Sequence, residues 1–497
     1  MPDNKKKNNT AGRAEPSRDN IYRSYNYVGT KETVAYLLND VSNSFNIGHD
    51  NQYIWNVVRI DFGLNAIVGL FTGAWDIMND AVISAIVDNT RTRIGKFRPY
   101  LLFLQIPLSL FGLLYWFIPY LFPNTAGTYL PKLIFYYSFN MIRETAGTFT
   151  SVAKAGYMST ITPNPNERVR LITLAELLSG YMGEDVPRML FGFLLDLVTK
   201  KKLKLELRAL FMIMGTATSL VSCAFTVFFF AVSDERVPQS LEHPDLKEGF
   251  RAIFSNYPML LICLSRFLEG FSVGTGEDDY WLNMFSGQHM VETLRTAVSA
   301  VSAPVGSASY ALVAPLRKRF SSKTLWVAAD LYDDALRFGF FFFGLYKKNY
   351  KHIGPMLTYF GFRELFNKLL FGVNKVINAD LFNEAMDYCE WKNGYRMEAT
   401  AGVARDLVVK IQGTLMNSVN SIVMKRIGYN QSLELGSQSD RTKFWLFALC
   451  SVVPVVSGAL GIIPKMLWPI SKAARARMYR ELAERRSKMV SEYLESD

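Results

Sequence analysis

Residues 210–232 read LFMIMGTATSLVSCAFTVFFFAV, without a single charge. A helix rises 1.5 Å per residue, so roughly 20 apolar residues cross the hydrocarbon core of a bilayer. Three more charge-free runs of that kind lie along the chain: Pro99 to Phe122, Thr296 to Leu316 and Phe444 to Pro464. One such run can be a buried helix of a soluble protein. Four dispersed runs cannot share one soluble core, and the chain reads as an integral membrane protein.

Between these runs are segments of similar length that are mostly apolar but interrupted by charges, at about 27–47, 57–86, 131–161, 169–198, 258–286, 325–346, 353–383 and 401–427. Together they predict twelve spans. The hydrophobic fraction of 49% and charged fraction of 20% look soluble because most of these spans carry ionisable groups. Such groups are costly in hydrocarbon and face a bundle interior, a partner or a water-filled cavity. That pattern fits a carrier-like interior better than a membrane anchor.

Cys223, Cys263, Cys389 and Cys450 have no CxxC spacing, which excludes a disulfide scaffold and a zinc ribbon. There is no HExxH, no P-loop and no Ser/His/Asp constellation, so neither an enzyme, a resident cofactor nor ATP-driven pumping is expected. The net charge of +11 is mostly positive-inside bias, not a nucleic-acid footprint. With the N-terminus cytoplasmic, tails and even-numbered loops collect about 28 Lys and Arg against about 10 on the other side. Both termini are therefore expected inside a plasma membrane, a bacterial inner membrane by expectation, with no cleaved signal peptide. The predicted organisation is a basic tail 1–26, a six-helix bundle 27–232, a cytoplasmic loop 233–257, a second bundle 258–470 and a solvated charged helix 471–497.

The predicted second span contains Trp75-Asp76-Ile77-Met78-Asn79-Asp80. Carboxylates at i and i+4 project from one helical face, and the span's length puts both near the membrane midplane. Oxygen ligands there suit Na+, while desolvation and mutual repulsion suit a held proton. The plainer reading is a salt bridge to a basic residue on another helix. Directly after it, Asp88-Asn-Thr-Arg-Thr-Arg-Ile-Gly-Lys-Phe-Arg-Pro-Tyr100 anchors a cytoplasmic turn. Gly69 and Gly73 form a GxxxG pair, read as close packing of two helices within the fold.

These two stretches, with Asp234-Glu-Arg-Val opening the central loop and Asp387-Tyr-Cys-Glu-Trp-Lys-Asn-Gly-Tyr-Arg396, resemble the glycoside–pentoside–hexuronide:cation symporter family, the melibiose-permease branch of the major facilitator fold. The resemblance implies an all-α carrier of twelve transmembrane helices in two six-helix bundles around a cavity opened to each side in turn. It implies cation binding by Asp76 and Asp80 with Asn79 and Thr148. Lys410 would link the cation and sugar sites, and Glu32 would be the sugar-binding acid of span one, with eight extra residues before span two. Arg91, Arg93, Gly95, Lys96 and Arg98 would belong to one conformational loop, and Asp387, Glu390, Trp391 and Arg396 to another.

The departures bear on the solute. Ser151 stands where sugar-transporting members carry an essential Asp, and Glu176 stands where they carry an Arg, while Lys154 supplies a cation near Ser151. Lys154, Lys375 and Lys410 would make part of the cavity positive for an anionic solute such as a uronate. The remaining charges within the spans are read as mutually neutralising pairs. The expected function is monomeric, cation-coupled symport of a small polar solute (a sugar, glycoside or sugar acid), with Na+ or H+ as coupling ion and membrane lipid as the only other partner. Two alternatives are a lysolipid carrier of the same fold and a sensor derived from a carrier that binds solute without moving it.

Overall fold

In the computed structural model, the described residues are 27–90, 92, 95, 97–162, 165–234, 256–271, 276–393, 398–471, 473–482 and 484. The tail 1–26, nearly all of the central loop, and residues 485–497 lie outside them.

Among the described residues, twelve helical rods cross the fold. The first, α1, is Thr30–Asn43, continued after a break by Asp50–Gln52 and Tyr53–Val58. Next come α2 (Phe62–Asn89), α3 (Arg98–Phe103 and Gln105–Leu121) and α4 (Ala126–Ile161). The first half ends with α5 (Pro165–Leu178, Ser179–Asp185 and Val186–Thr199) and α6 (Leu207–Val232). The second half holds α7 (Tyr257–Glu269 and Glu277–Phe285), α8 (Val291–Ala308, Ser309–Leu312 and Val313–Arg319) and α9 (Ser322–Leu345). It closes with α10 (Ile353–Asn393), α11 (Glu398–Ile427) and α12 (Asp440–Met466). Residues 473–482 form a further helix, α13.

Three predicted boundaries need correction. Span one does not end near residue 47 but resumes after the break and reaches Val58. Gly48 and His49 turn the chain in the left-handed region, at φ 68° and 61°. The polar backbone freed by the break is satisfied internally, Asn46 N donating to Gly183 O at 3.1 Å and Gly48 N to Asn46 Oδ1 at 2.7 Å. Span two then starts at Phe62, where Asp61 Oδ1 accepts from Leu64 N at 3.0 Å as an N-cap.

The third correction concerns α10, which continues ten residues past the predicted 383. Asp387, Glu390 and Trp391 are therefore helical and not in a loop. Buried Leu381, Ala385, Met386 and Cys389 keep helical spacing to this end of α10 because α13 lies alongside. Trp391 Nε1 donates to Glu481 Oε2 at 2.6 Å, Tyr479 OH to Asp387 Oδ2 at 3.0 Å, and Arg475 pairs with Asp380 at 3.1 Å and Glu384 at 3.3 Å. With Met478 and Leu482 buried, α13 is docked and not solvated all round.

Each half repeats one packing pattern. In the first, α2 packs on α4, α3 on α6, and α6 on α1; in the second, α8 packs on α10, α9 on α12, and α12 on α7. The halves meet where α2 lies on α11 and α5 on α8. Near the end that carries the termini, the apolar cores are private: one cluster holds Val28, Tyr36, Ile83, Tyr157 and Phe229, another Met259, Leu325, Ile377 and Trp468. At the opposite end they are shared, with Leu282 and Leu435 joining first-half residues, and Trp55 and Phe62 joining second-half ones.

Polar contacts follow the same division. Tyr429 OH donates to Asn56 Oδ1 at 3.0 Å, Gln431 Nε2 to Ile60 O at 2.7 Å, and Asn65 Nδ2 to Ser421 Oγ at 2.9 Å. Asp279 of α7 accepts from Asn51, at 3.3 Å, and from Gln52. Asp196 of α5 caps α8 in trans, its Oδ2 accepting from Thr293 N and Oγ1, both at 2.8 Å. Between described residues, no hydrogen bond or ion pair joins the halves nearer the termini than Asp80 with Lys410. Among the described residues, the halves are therefore joined at one end and not at the other.

Glycine sets the α2–α11 approach. A Cβ on Gly73 would run into the Thr414 side chain, whereas one on Gly69 would meet Ser418 Oγ at an ordinary 3.6 Å. Gly73→Val is therefore expected to destabilise the protein by about 1–3 kcal/mol through overpacking, and Gly69→Ala to be tolerated. Melting of the two detergent-purified variants checks this, and equal melting temperatures would refute it.

Candidate functional site

The α2–α11 contact carries the Lys410 side chain from one half into an acidic pair on the other. Its ammonium lies 3.1 Å from Asp76 Oδ2 and hydrogen-bonds to Asp80 Oδ2. From α4, Thr148 Oγ1 donates to Asp80 Oδ1 at 3.1 Å. Asn79 is on the same turn of α2, its Nδ2 buried with no hydrogen-bond partner among the described residues. Three helices from both halves thus converge on one cluster. Two carboxylates and one ammonium sum to −1. The acids retain 22% and 30% exposure, so water or an ion can reach them from the end where the halves are not joined.

The plainer reading of Asp76 and Asp80, a salt bridge across helices, is thus part of this site, and Lys410 is its basic partner. One ammonium cannot neutralise two carboxylates, so a deficit of one positive charge remains.

A second cluster lies between α1, α4 and α5. Lys154 pairs with Asp40 Oδ1, and Ser179 Oγ donates to Asp40 Oδ2 at 2.5 Å. Ser151, on the exposed side of α4, donates its Oγ to Thr148 O at 3.0 Å. Glu176 is on α5 with its side chain outside the described residues. Glu32 does not join either cluster. It is buried in the first turn of α1, about 12 Å along the axis from Asp40, and accepts from Asp234 N at 3.3 Å.

Asp40 is the member of this cluster that sequence reading did not single out. The signal was present: matching Glu32 required eight extra residues before span two, and Asp40 lies eight residues further along.

Of the loop residues, Gly95 holds φ 117°, which favours glycine, in a tight turn where Thr92 Oγ1 donates to Gly95 O at 2.6 Å. Arg98 ties the start of α3 to the end of α6, pairing with Asp234 at 2.9 Å and donating to Phe230 O at 3.1 Å. Arg91, Arg93, Lys96 and Arg396 lie outside the described residues.

The expectation of a positive cavity needs correction in two of its three lysines. Lys154 and Lys410 are each engaged by an acid, so neither offers a free positive charge. The paired-charge reading of the other spans also changes in detail. Arg143 with Glu144 at 3.3 Å is a neighbour pair, but Arg363 reaches across to Glu277 at 2.6 Å and Arg188 to Asp278 at 2.7 Å. Helix packing, not sequence adjacency, sets most partners.

Comparison with known proteins agrees with this architecture. The chain is 23% identical over 488 residues to the isoprimeverose transporter of Lactiplantibacillus pentosus, covering 90% of each chain. It is 21% identical over 467 residues to the inner membrane symporter YicJ of Escherichia coli (strain K12), covering 92% of this chain and 95% of that one. Among solved structures, a bacterial homologue of the human lysosomal transporter Spinster, inward-facing and occupied, superposes with a TM-score of 0.54 at 13% identity over 94% of this chain and 98% of that one, a likeness of fold. The family model described as MFS/sugar transport protein matches residues 34–472, and the chain belongs to that family of membrane transporters.

Proposed function

We propose that the protein is a cation-coupled symporter of a sugar, glycoside or sugar acid, with Na+ or H+ as coupling ion. The observation that carries this reading is the charge deficit at Asp76, Asp80 and Lys410, shared between the two halves. A proton or Na+ at the acids supplies the missing charge. It also competes with Lys410, whose helix belongs to the other half, so ion occupancy and the relation of the halves become linked.

In this reading, the end carrying the termini is cytoplasmic, by the positive-inside rule, and the described shape is inward-open. Solute sits in the cavity between the Asp40–Lys154 cluster and the second half. Ion-loaded carrier binds solute and rocks; carrier with solute but without ion stays put, which is what couples the fluxes. The working unit is a monomer in the plasma membrane.

The test is uptake of radiolabelled sugars, glycosides and uronates into proteoliposomes under an imposed Na+ or H+ gradient. Acceleration by one gradient, with accumulation above the equilibrium level, is expected and identifies the ion. Uptake of a solute that neither gradient accelerates overturns symport.

A further inference from the structure

Among described residues deep in the spans, most cations meet an acid. Lys154 has Asp40, Arg188 has Asp278, Arg295 has Glu292, Arg363 has Glu277, and Lys465 has Glu269 and Asp330. Lys368 and Lys375 on α10 do not. Their only close partner among the described residues is one phenyl ring: Lys368 Nζ lies 4.9 Å and Lys375 Nζ 5.7 Å from the centroid of Phe371. Glu364, one turn from Lys368, turns to Arg363 at 3.7 Å.

The three residues are spaced i, i+3 and i+7 and occupy one face of α10. That face lies along α8, where Gly306 leaves space for the Lys368 stem and Tyr310 meets Phe371 edge-on at 6.4 Å. Another face presents Phe362, Leu365, Phe366 and Leu369, all exposed and all apolar, as lipid requires. Two ammonium groups are costly in hydrocarbon, which favours a watery setting for their own face, where Phe371 and Tyr310 are exposed as well. Lys368 is about 22 Å from the joined end of its helix, and Asp76 about 21 Å from that end of α2, so the two stand at one depth.

We propose that Lys368 and Lys375 form an anion subsite in the central cavity, and that the transported solute is a sugar acid whose carboxylate or sulfonate they bind. The inference rests on the sugar-symport reading and specifies its solute. An oxyanion between the two lysines replaces weak ring contacts with charge-assisted hydrogen bonds, while Phe371 and Tyr310 give the sugar ring an aromatic wall. The cost of two unmatched charges in a span is then offset by the ligand.

The experiment compares binding, by thermal shift and competition for uptake, of glucuronate, its methyl β-glycoside and 6-sulfonated glucose with their neutral counterparts. Wild type is expected to favour the acids at least about tenfold. Lys368→Gln/Lys375→Gln should lose that preference, and Lys368→Arg/Lys375→Arg should retain it, which separates charge from folding. A Gln variant that still prefers acids overturns the subsite, as does a wild type that binds neutral sugars equally well. Failure of wild type to bind either set overturns the sugar reading and this one with it. Acid binding that depends on the lysines but ignores Na+ and pH supports the subsite and sinks the coupling reading alone.

Discussion

Asp80→Asn is expected to abolish gradient-driven accumulation of solute while leaving the fold intact. The amide matches the carboxyl in size and keeps an acceptor for Thr148 Oγ1, which donates to Asp80 at 3.1 Å. Lys410 keeps Asp76 at 3.1 Å as its counterion. The cluster then sums to zero and no longer lacks a positive charge, so a Na+ or proton has nothing to neutralise. Losing one charged ligand group in such a site costs roughly 2 kcal/mol or more, at least about thirtyfold in ion affinity. Concentrative uptake in membrane vesicles should fall to background, while the melting temperature stays near that of wild type. A mutant that still concentrates solute as wild type does would remove Asp80 from the coupling site.

The largest stability effect is expected at a different triad. Lys465 of α12 is 2% exposed, with its ammonium on Glu269 of α7 and Asp330 of α9 and 4.7 Å from the Trp326 ring. Ser265 Oγ also donates to Glu269 Oε1 at 3.0 Å. Lys465→Met keeps the apolar stem but leaves two carboxylates unmatched between three helices. Breaking a buried pair on one side costs about 3–5 kcal/mol, and the partial exposure of both acids places this case near the lower figure. Adding Glu269→Gln and Asp330→Asn should recover most of the loss, since the uncompensated charges are then gone. Denaturation in detergent reads both effects. A Lys465→Met protein as stable as wild type would show that water already solvates the acids.

The membrane architecture was legible because its signal is local. The apolar runs around Leu210 and Phe444 need no knowledge of neighbours, and α6 and α12 fall where those runs are. The acidic pair on α2 was legible for the same reason, since i and i+4 on one helix must share a face. What the sequence concealed depends on which helices meet. Nothing around Lys410 says that it bridges both acids of α2, and nothing around Asp196 says that it caps α8 from the other half. The extension of α10 past residue 383 was hidden because its polar surface looks like a loop until α13 is laid along it. Asp40 was overlooked, although the predicted first span contains it, because its partners Lys154 and Ser179 lie on other helices. Lys368 looked like one charge among many paired ones until every other partner was placed.

The docking of α13 on α10 makes one rigid lever. At 41 residues, α10 is about 61 Å long, roughly twice the hydrocarbon thickness. Its far end is pinned to α13 by Trp391, Asp387, Asp380 and Glu384, clear of the bilayer. Any rocking of the second bundle must sweep α13 through the surrounding water. A spectroscopic label or antibody fragment fixed to that short helix therefore reports on, or restrains, the tilt of half the transporter without touching the solute path.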